Sequence, residues 1–473
     1  MLENLRIQNF KSWQDTSDIR FGSLTGFFGT NSSGKSSILQ FLLMLKQTVE
    51  SSDRSRVLNL GDDKTYVDLG TMYDILFMHR NPGLLKFGFA WVPDNTYYTE
   101  VNSFNTLEEG SLPEAISFEA DIKRNGDYVE LSKFNYHHGD NIVEIIKSKK
   151  KVDANFIRLS HNLYTYYRNS KGFKPRKTNL TVEPSKFYNA FNLSHLIFDS
   201  QRHFNQEMPK LLDYGVYELE RLFGSISYLG PLREYPSRLY VWAGEQTQSV
   251  GNRGERAIAA LLSSRNQGPT IDMGEGQPKR TVEEHVAHWL KELGLIYSFK
   301  VQPIAPNRKE YEVRIQRTAE SASVFLTDVG FGVSQILPVL VLLFYVPEGS
   351  TVILEQPEIH LHPAVQAGLA DVFIDAIKRR NIQIILESHS EHLLQRLQRR
   401  MAEFGVDEQK GFDANKAQLY FTDIEAGRSK LTPLALDDYG NISNWPVGFF
   451  GDPFADAAAM LDAEMKRRQA SSV

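Results

Sequence analysis

The chain has 473 residues, 41% of them hydrophobic and 23% charged, and a net charge of −5 at pH 7. That length exceeds one ordinary core and predicts two or three folded units. With no cysteine, disulfides and cysteinyl metal sites are excluded, and so modest a charge leaves any nucleic-acid role to a local patch.

Residues 1–28 read as strands, 5–10 (LRIQNF) alternating and 18–21 leading toward a second, apolar run at 24–28 (LTGFF). Next comes Gly29-Thr30-Asn31-Ser32-Ser33-Gly34-Lys35-Ser36, which fits the phosphate-binding pattern G-x-x-x-x-G-K-[ST]. Residues 37–49 then carry apolar side chains at helical spacing, completing the strand, glycine loop and helix that the pattern requires. Glycines let the backbone N–H groups of the loop face phosphate oxygens, and the helix start adds positive charge. A nucleoside triphosphate would contact Gly29, Asn31, Ser32, Ser33, Gly34, Lys35, Ser36 and Ser37. Lys35 would reach the β- and γ-phosphates, and Ser36 would hold Mg²⁺.

Strand-like pieces at 57–92 give way to a polar, turn-rich stretch at 93–115 and three alternating runs over 116–146, an antiparallel meander. Residues 147–177 hold ten Lys/Arg against one acid, with aromatics interleaved. Lys149, Lys150, Lys151, Arg158, Arg168, Lys174, Arg176 and Lys177 form either a nucleic-acid patch or a solvated basic loop. Residues 211–223 read as a helix, about 230–280 as a Gly/Pro/Ser-rich connection, 282–293 as a helix, and 297–302 and 311–317 as strands. From 324 to 422 strands and helices alternate, as in an α/β sheet. The longest apolar run, 336–346, holds Pro338 and is too short to cross a bilayer. No secretion leader opens the chain, so a cytoplasmic protein that does not enter a membrane is expected.

The second half of a nucleotide site follows. Residues 351–354 (TVIL) form a buried strand with Glu355 at its tip, where a carboxylate can hold Mg²⁺ through water. Gln356 stands where a water-activating glutamate is usual; an amide orients water but accepts no proton. Either hydrolysis is slow or Glu358 takes that part. His360 and His362 suit a turn in a subunit contact better than a metal site lacking a third ligand. A further strand at 382–386 ends near His389, placed to sense a γ-phosphate or to cap the next helix. Gly332, Ser334 and Gln335 lie in a Gly-rich turn before a helix expected from residue 336, a second anion site. One ATP needs both sites only if two chains sandwich it. Arg233, after a Gly-Pro turn, is either a finger reaching a phosphate or a partner in an ion pair.

In this order of motifs (phosphate loop, long insertion, DVGFGVSQ, VILEQPEIHLHP, LESHSEHLL) the chain resembles the ABC-type ATPases of the RecF/SMC/OLD class within the AAA family. The match includes YLGPLR at 228–233 and a DUF-type C-terminal extension at 439–450. The resemblance implies an α/β P-loop fold of ABC-ATPase head type, a mixed sheet flanked by helices, with an inserted α+β arm. It implies head segments at 1–92, 226–323 and 324–436, an arm at 93–225 and an extension at 437–473. ATP and Mg²⁺ would be the cofactors, with Glu355 as Walker B carboxylate, Gly332, Ser334 and Gln335 as a signature acting in trans, and His389 as switch histidine. Glu355, Gln356, Glu358 and His389 would form the catalytic set of an ATPase made slow by Gln356. The class implies a homodimer through the heads, or a higher oligomer, serving as a nucleotide-gated switch. In anti-phage operons such a subunit senses while a separate effector nuclease from a neighbouring gene cuts. The alternative is a RecF- or SMC-like ATPase that handles DNA directly. The family's glutamine loop is not found after the first helix, where Asp68-Leu69-Gly70 stands.

Overall fold

The computed structural model describes residues 1–54, 56–79, 83–93, 115–125, 128–139, 141–146, 156–160, 186–188, 207–274, 276–407, 409–446, 449 and 458–465. The basic patch falls outside the described residues, apart from the backbone of Phe156–Ser160, which includes Arg158.

A six-stranded sheet organises the chain. Its order is Ile226–Leu229, Thr351–Glu355, Gln383–Glu387, Leu24–Gly29, Ala417–Glu425 and Arg428–Pro433. The first five strands run parallel, and only Arg428–Pro433 is antiparallel. Thr351–Glu355 and Gln383–Glu387 are buried at every position, as parallel strands covered on both faces must be. Side chains alternate between two cores. Phe27, Ile353, Ile385 and Tyr420 face one; Leu24, Phe28, Val352, Leu354, Ile384 and Leu386 face the other.

The first core lies under the helix Lys35–Glu50 and an antiparallel sheet that includes Leu2–Phe10, Leu84–Trp91, Ile116–Asn125 and Tyr128–His138. This sheet includes strands from both sides of the boundary expected at 92/93. Leu84–Trp91 pairs along its whole length with Ile116–Asn125, so the start of the expected arm continues the N-terminal sheet. An apolar strand such as Leu84–Trp91 leaves unpaired amides at its edge unless a neighbour covers them. The meander predicted over 116–146 is present.

The second core is filled by the helices Ala257–Gln267, Val282–Glu292, Phe331–Tyr345, Pro363–Arg380 and Glu391–Ala402. Ala257–Gln267 stands inside the stretch read as a connection. Its apolar residues have no strong single-sided periodicity because Ala260, Leu261 and Leu262 are all buried, and a helix buried all round shows no stripe. The C-terminal extension returns to this core, where Phe449 packs on Phe28 and Phe421 with ring centroids 6.1 and 4.8 Å away.

Candidate nucleotide site

Register puts the motif residues on one edge. Glu355 pairs opposite Glu387, Glu387 opposite Phe27, and Thr422 opposite Gly29. Four parallel strands thus end together at the phosphate loop, the edge at which open α/β sheets bind ligands.

Loop geometry depends on two glycines. Gly29 has φ 136°, and a Cβ there would lie 2.1 Å from the Thr422 carbonyl oxygen; Gly34 has φ 96° and faces Ser12, Trp13 and Ser429. Trp13 Nε1 donates to the Gly34 carbonyl at 3.0 Å. Ser33 is buried, bonded to the Thr30 carbonyl at 2.8 Å and to the Thr422 hydroxyl at 2.5 Å. It supports the loop, while Asn31 and Ser32 are exposed and Ser36 and Ser37 half-buried at the helix start. Lys35 Nζ folds back onto the carbonyls of Thr30 at 2.6 Å and Gly29 at 3.1 Å. Gly29→Ala is expected to cost about 2 kcal/mol or more, through the positive φ and the collision with Thr422. A thermal melt matching the parent would show that the two strands part without cost.

Acidic residues gather opposite the loop. Glu355 accepts a hydrogen bond from the Tyr228 hydroxyl at 3.3 Å. Burial, with the like charge of Glu387 beside it, pushes its carboxyl up to about 7. Burial also raises the Tyr228 phenol. Glu358 is buried, and its Oε1 accepts the backbone N–H of His389 at 2.7 Å. Burial raises its carboxyl, opposed by that N–H. Gln356 turns the chain with φ 44° and donates its N–H to the Glu387 carbonyl at 2.9 Å. His389 Nε2 lies 3.9 Å from Glu387 Oε1; burial, then the charge of Lys35, lowers its pKa. A neutral imidazole results, able to donate or accept. Ser390 caps the following helix by accepting from Leu393 N at 3.1 Å, so His389 is not the cap.

One expectation changes. The helix expected from residue 336 starts at Phe331, so Ser334 and Gln335 lie buried in its first turns, and Ser334 donates to the Phe331 carbonyl at 2.8 Å. Serine early in a helix can bond back to its own turn. Gly330, Phe331 and the half-buried Gly332 remain at the surface. His362 caps Pro363–Arg380, its Nδ1 accepting from Ala364 N at 3.3 Å, and His360 packs on Phe331; no metal-binding group is found among the described residues. The strand tip beside that of Thr351–Glu355 belongs to Ile226–Leu229. Asp68-Leu69-Gly70 lies in an irregular segment, with Leu69 N bonded to the Leu60 carbonyl.

Glu387, Tyr228, Lys11 and Trp13 were not singled out from the sequence. Glu387 had a signal: VILE and IILE are twin tetrads, each ending a strand in glutamate. Lys11 is felt by Glu355 across the site, and no local pattern foretells that. The hydroxyl of Ser36 and the carboxylate of Glu355 are the hard oxygen donors that Mg²⁺ prefers, so these residues fit that ion.

Residues 1–214 match the profile of the family described as "AAA ATPase domain". Residues 298–395 match "AAA domain, putative AbiEii toxin, Type IV TA system". The chain carries an AAA ATPase domain. Residues 413–459 match "Protein of unknown function (DUF3696)", a span that includes the stretch 439–450 on which the C-terminal resemblance rests. No curated protein matches the chain. Among solved structures it is similar to the SMC head domain from Thermotoga maritima (12% identity, TM-score 0.38, covering 92% of this chain and 99% of that one). It is also similar to an Smc head with an extended coiled coil, bound to the C-terminal domain of ScpA, from Pyrococcus furiosus (11% identity, TM-score 0.42, 92% and 96%). No helix among the described residues is long and apolar enough to cross a membrane.

Proposed function

We propose that this AAA-type ATPase is a nucleotide-gated switch that binds ATP with Mg²⁺ and hydrolyses it slowly. One observation carries the reading: Glu355, Glu387 and the strand that enters the phosphate loop end in register on one sheet edge, with His389 two residues past Glu387. Lys35 and the loop amides hold the phosphates, and Ser36 and Glu355 hold the ion, whose charge offsets that of the phosphates. Gln356 orients the attacking water. Glu358, with Oε2 free of hydrogen bonds, is the nearby carboxylate able to take its proton. Its burial and its bond to His389 keep that transfer slow.

Two copies close over two nucleotides. Gly330 to Gly332 begin a helix with no side-chain cap, leaving amides for the other copy's phosphate. Tyr235 and Phe331 are exposed at that helix start, with their rings 5.6 Å apart. A second copy would cover this apolar face. The toxin–antitoxin name of the 298–395 profile supports a defence role, and in this reading the closed dimer controls a separate effector nuclease.

Gln356→Glu is expected to raise ATP turnover about tenfold or more, because a carboxylate then takes the proton directly. ATP affinity should stay as in the parent. Sedimentation with and without ATP·Mg²⁺ should show a dimer that persists in the parent and decays faster in the variant. Unchanged turnover, or a mass indifferent to ATP, would remove the slow-switch reading.

A further inference from the structure

Arg233 is only 6% exposed, and its Nε, Nη1 and Nη2 make no hydrogen bond. Charges near it belong to Glu355 and Glu358. Yet the bond found at Glu355 comes from the Tyr228 hydroxyl, and that at Glu358 from the His389 backbone. Leaving a guanidinium buried without hydrogen bonds is costly, and structures keep such a group where another state supplies a partner.

Topology determines where that partner arrives. Ile226–Leu229 runs parallel to Thr351–Glu355 with Leu229 opposite Leu354. The turn Gly230-Pro231-Leu232-Arg233 therefore leaves the sheet at the edge that holds Glu355. It is tied on both sides, by Gly230 N to the Asn252 carbonyl and by Glu234 N to the Arg253 carbonyl, each at 2.8 Å. A planar fork of N–H donors matches an anion with several oxygens. A nucleotide lying in the loop brings its terminal phosphate closest to the Walker B carboxylate.

We propose that Arg233 binds the terminal phosphate of the nucleotide held by its own chain, and so distinguishes a triphosphate from a diphosphate. The inference rests on the ATP-binding reading above. Burial within its own chain sets aside a finger reaching into a partner's site. The lack of a hydrogen-bonded carboxylate sets aside a structural ion pair.

The test uses the full chain as parent, Arg233→Met and Arg233→Lys, titrated calorimetrically with ADP and with the imido analogue of ATP, both with Mg²⁺. Arg233→Met is expected to cut the preference for the triphosphate about tenfold or more with ADP affinity unchanged, and Arg233→Lys to restore part of it. Without nucleotide, Arg233→Met should melt at or above the parent, since an unpaired buried charge is gone. An unchanged preference, equal losses for both nucleotides, or a lower melting temperature with an intact preference would overturn the inference. If the parent bound neither nucleotide, the ATP-binding reading itself would fail. If it bound both and the preference ignored Arg233, only this inference would.

Discussion

Replacing Lys35 with alanine is expected to weaken ATP binding about a hundredfold, the loss of a charge-assisted contact to phosphate. The expectation rests on where its ammonium sits. Its ammonium is buried and turned onto the Gly29 and Thr30 carbonyls of its own loop. Burial lowers its pKa, and the charge of Glu387 opposes that. Those carbonyls are weak partners for a full charge, and phosphate oxygens are better ones. The variant should fold, because the loop is also held by Trp13, Ser33 and Thr422. Calorimetric titration with ATP·Mg²⁺ checks the affinity and a thermal melt the fold. A loss below threefold would show that the loop amides alone hold the nucleotide.

Glu355→Gln is the second large effect. Hydrolysis should fall at least about a hundredfold, the scale on which a metal-holding carboxylate acts, with ATP still bound. The same residue predicts a pH dependence. Its folded pKa is about 7 against 4.5 for the ordinary group. The folded chain therefore binds the extra proton between those values. The associated stability is fully present below 4.5 and is lost as pH rises through 7. For a shift of this size it is on the order of 3 kcal/mol. Without nucleotide, the parent should lose stability from pH 5 to pH 8 relative to Glu355→Gln. Activity runs the other way: Mg²⁺ needs the ionised carboxylate and competes with the proton, so at limiting Mg²⁺ hydrolysis should fall as pH drops below about 7. Parallel melting curves for the two proteins across that range would contradict the burial argument, and a residual hydrolysis above one tenth would remove Glu355 from the metal site.

Short-range pattern carried most of the fold. The loop strand, its helix, the 116–146 meander and the strands ending in Glu355 and Glu387 follow from glycine placement and from runs of apolar residues. The helix Ala257–Gln267 was not legible, because burial on all sides erases the stripe that marks a surface helix. The start of Phe331–Tyr345 was misjudged because Gly332 reads as a turn residue, whereas packing of Val333, Ser334 and Gln335 draws it into the helix.

The sequence by itself determined the local motifs: a phosphate-loop pattern at 29–36, an acidic strand tip followed by Gln356, and a histidine near a second tip. Each is written in contiguous residues, since a backbone turn or a strand end is a local event. Only the tertiary structure decided which residues complete the site. Strand order brought Tyr228 and Arg233 beside Glu355 across more than a hundred intervening residues. The same fold stripped water from Glu355 and Arg233, and that burial sets the charge state of one and leaves the other without a hydrogen-bond partner. Desolvation belongs to the packed neighbourhood of a group, which no local run of residues records.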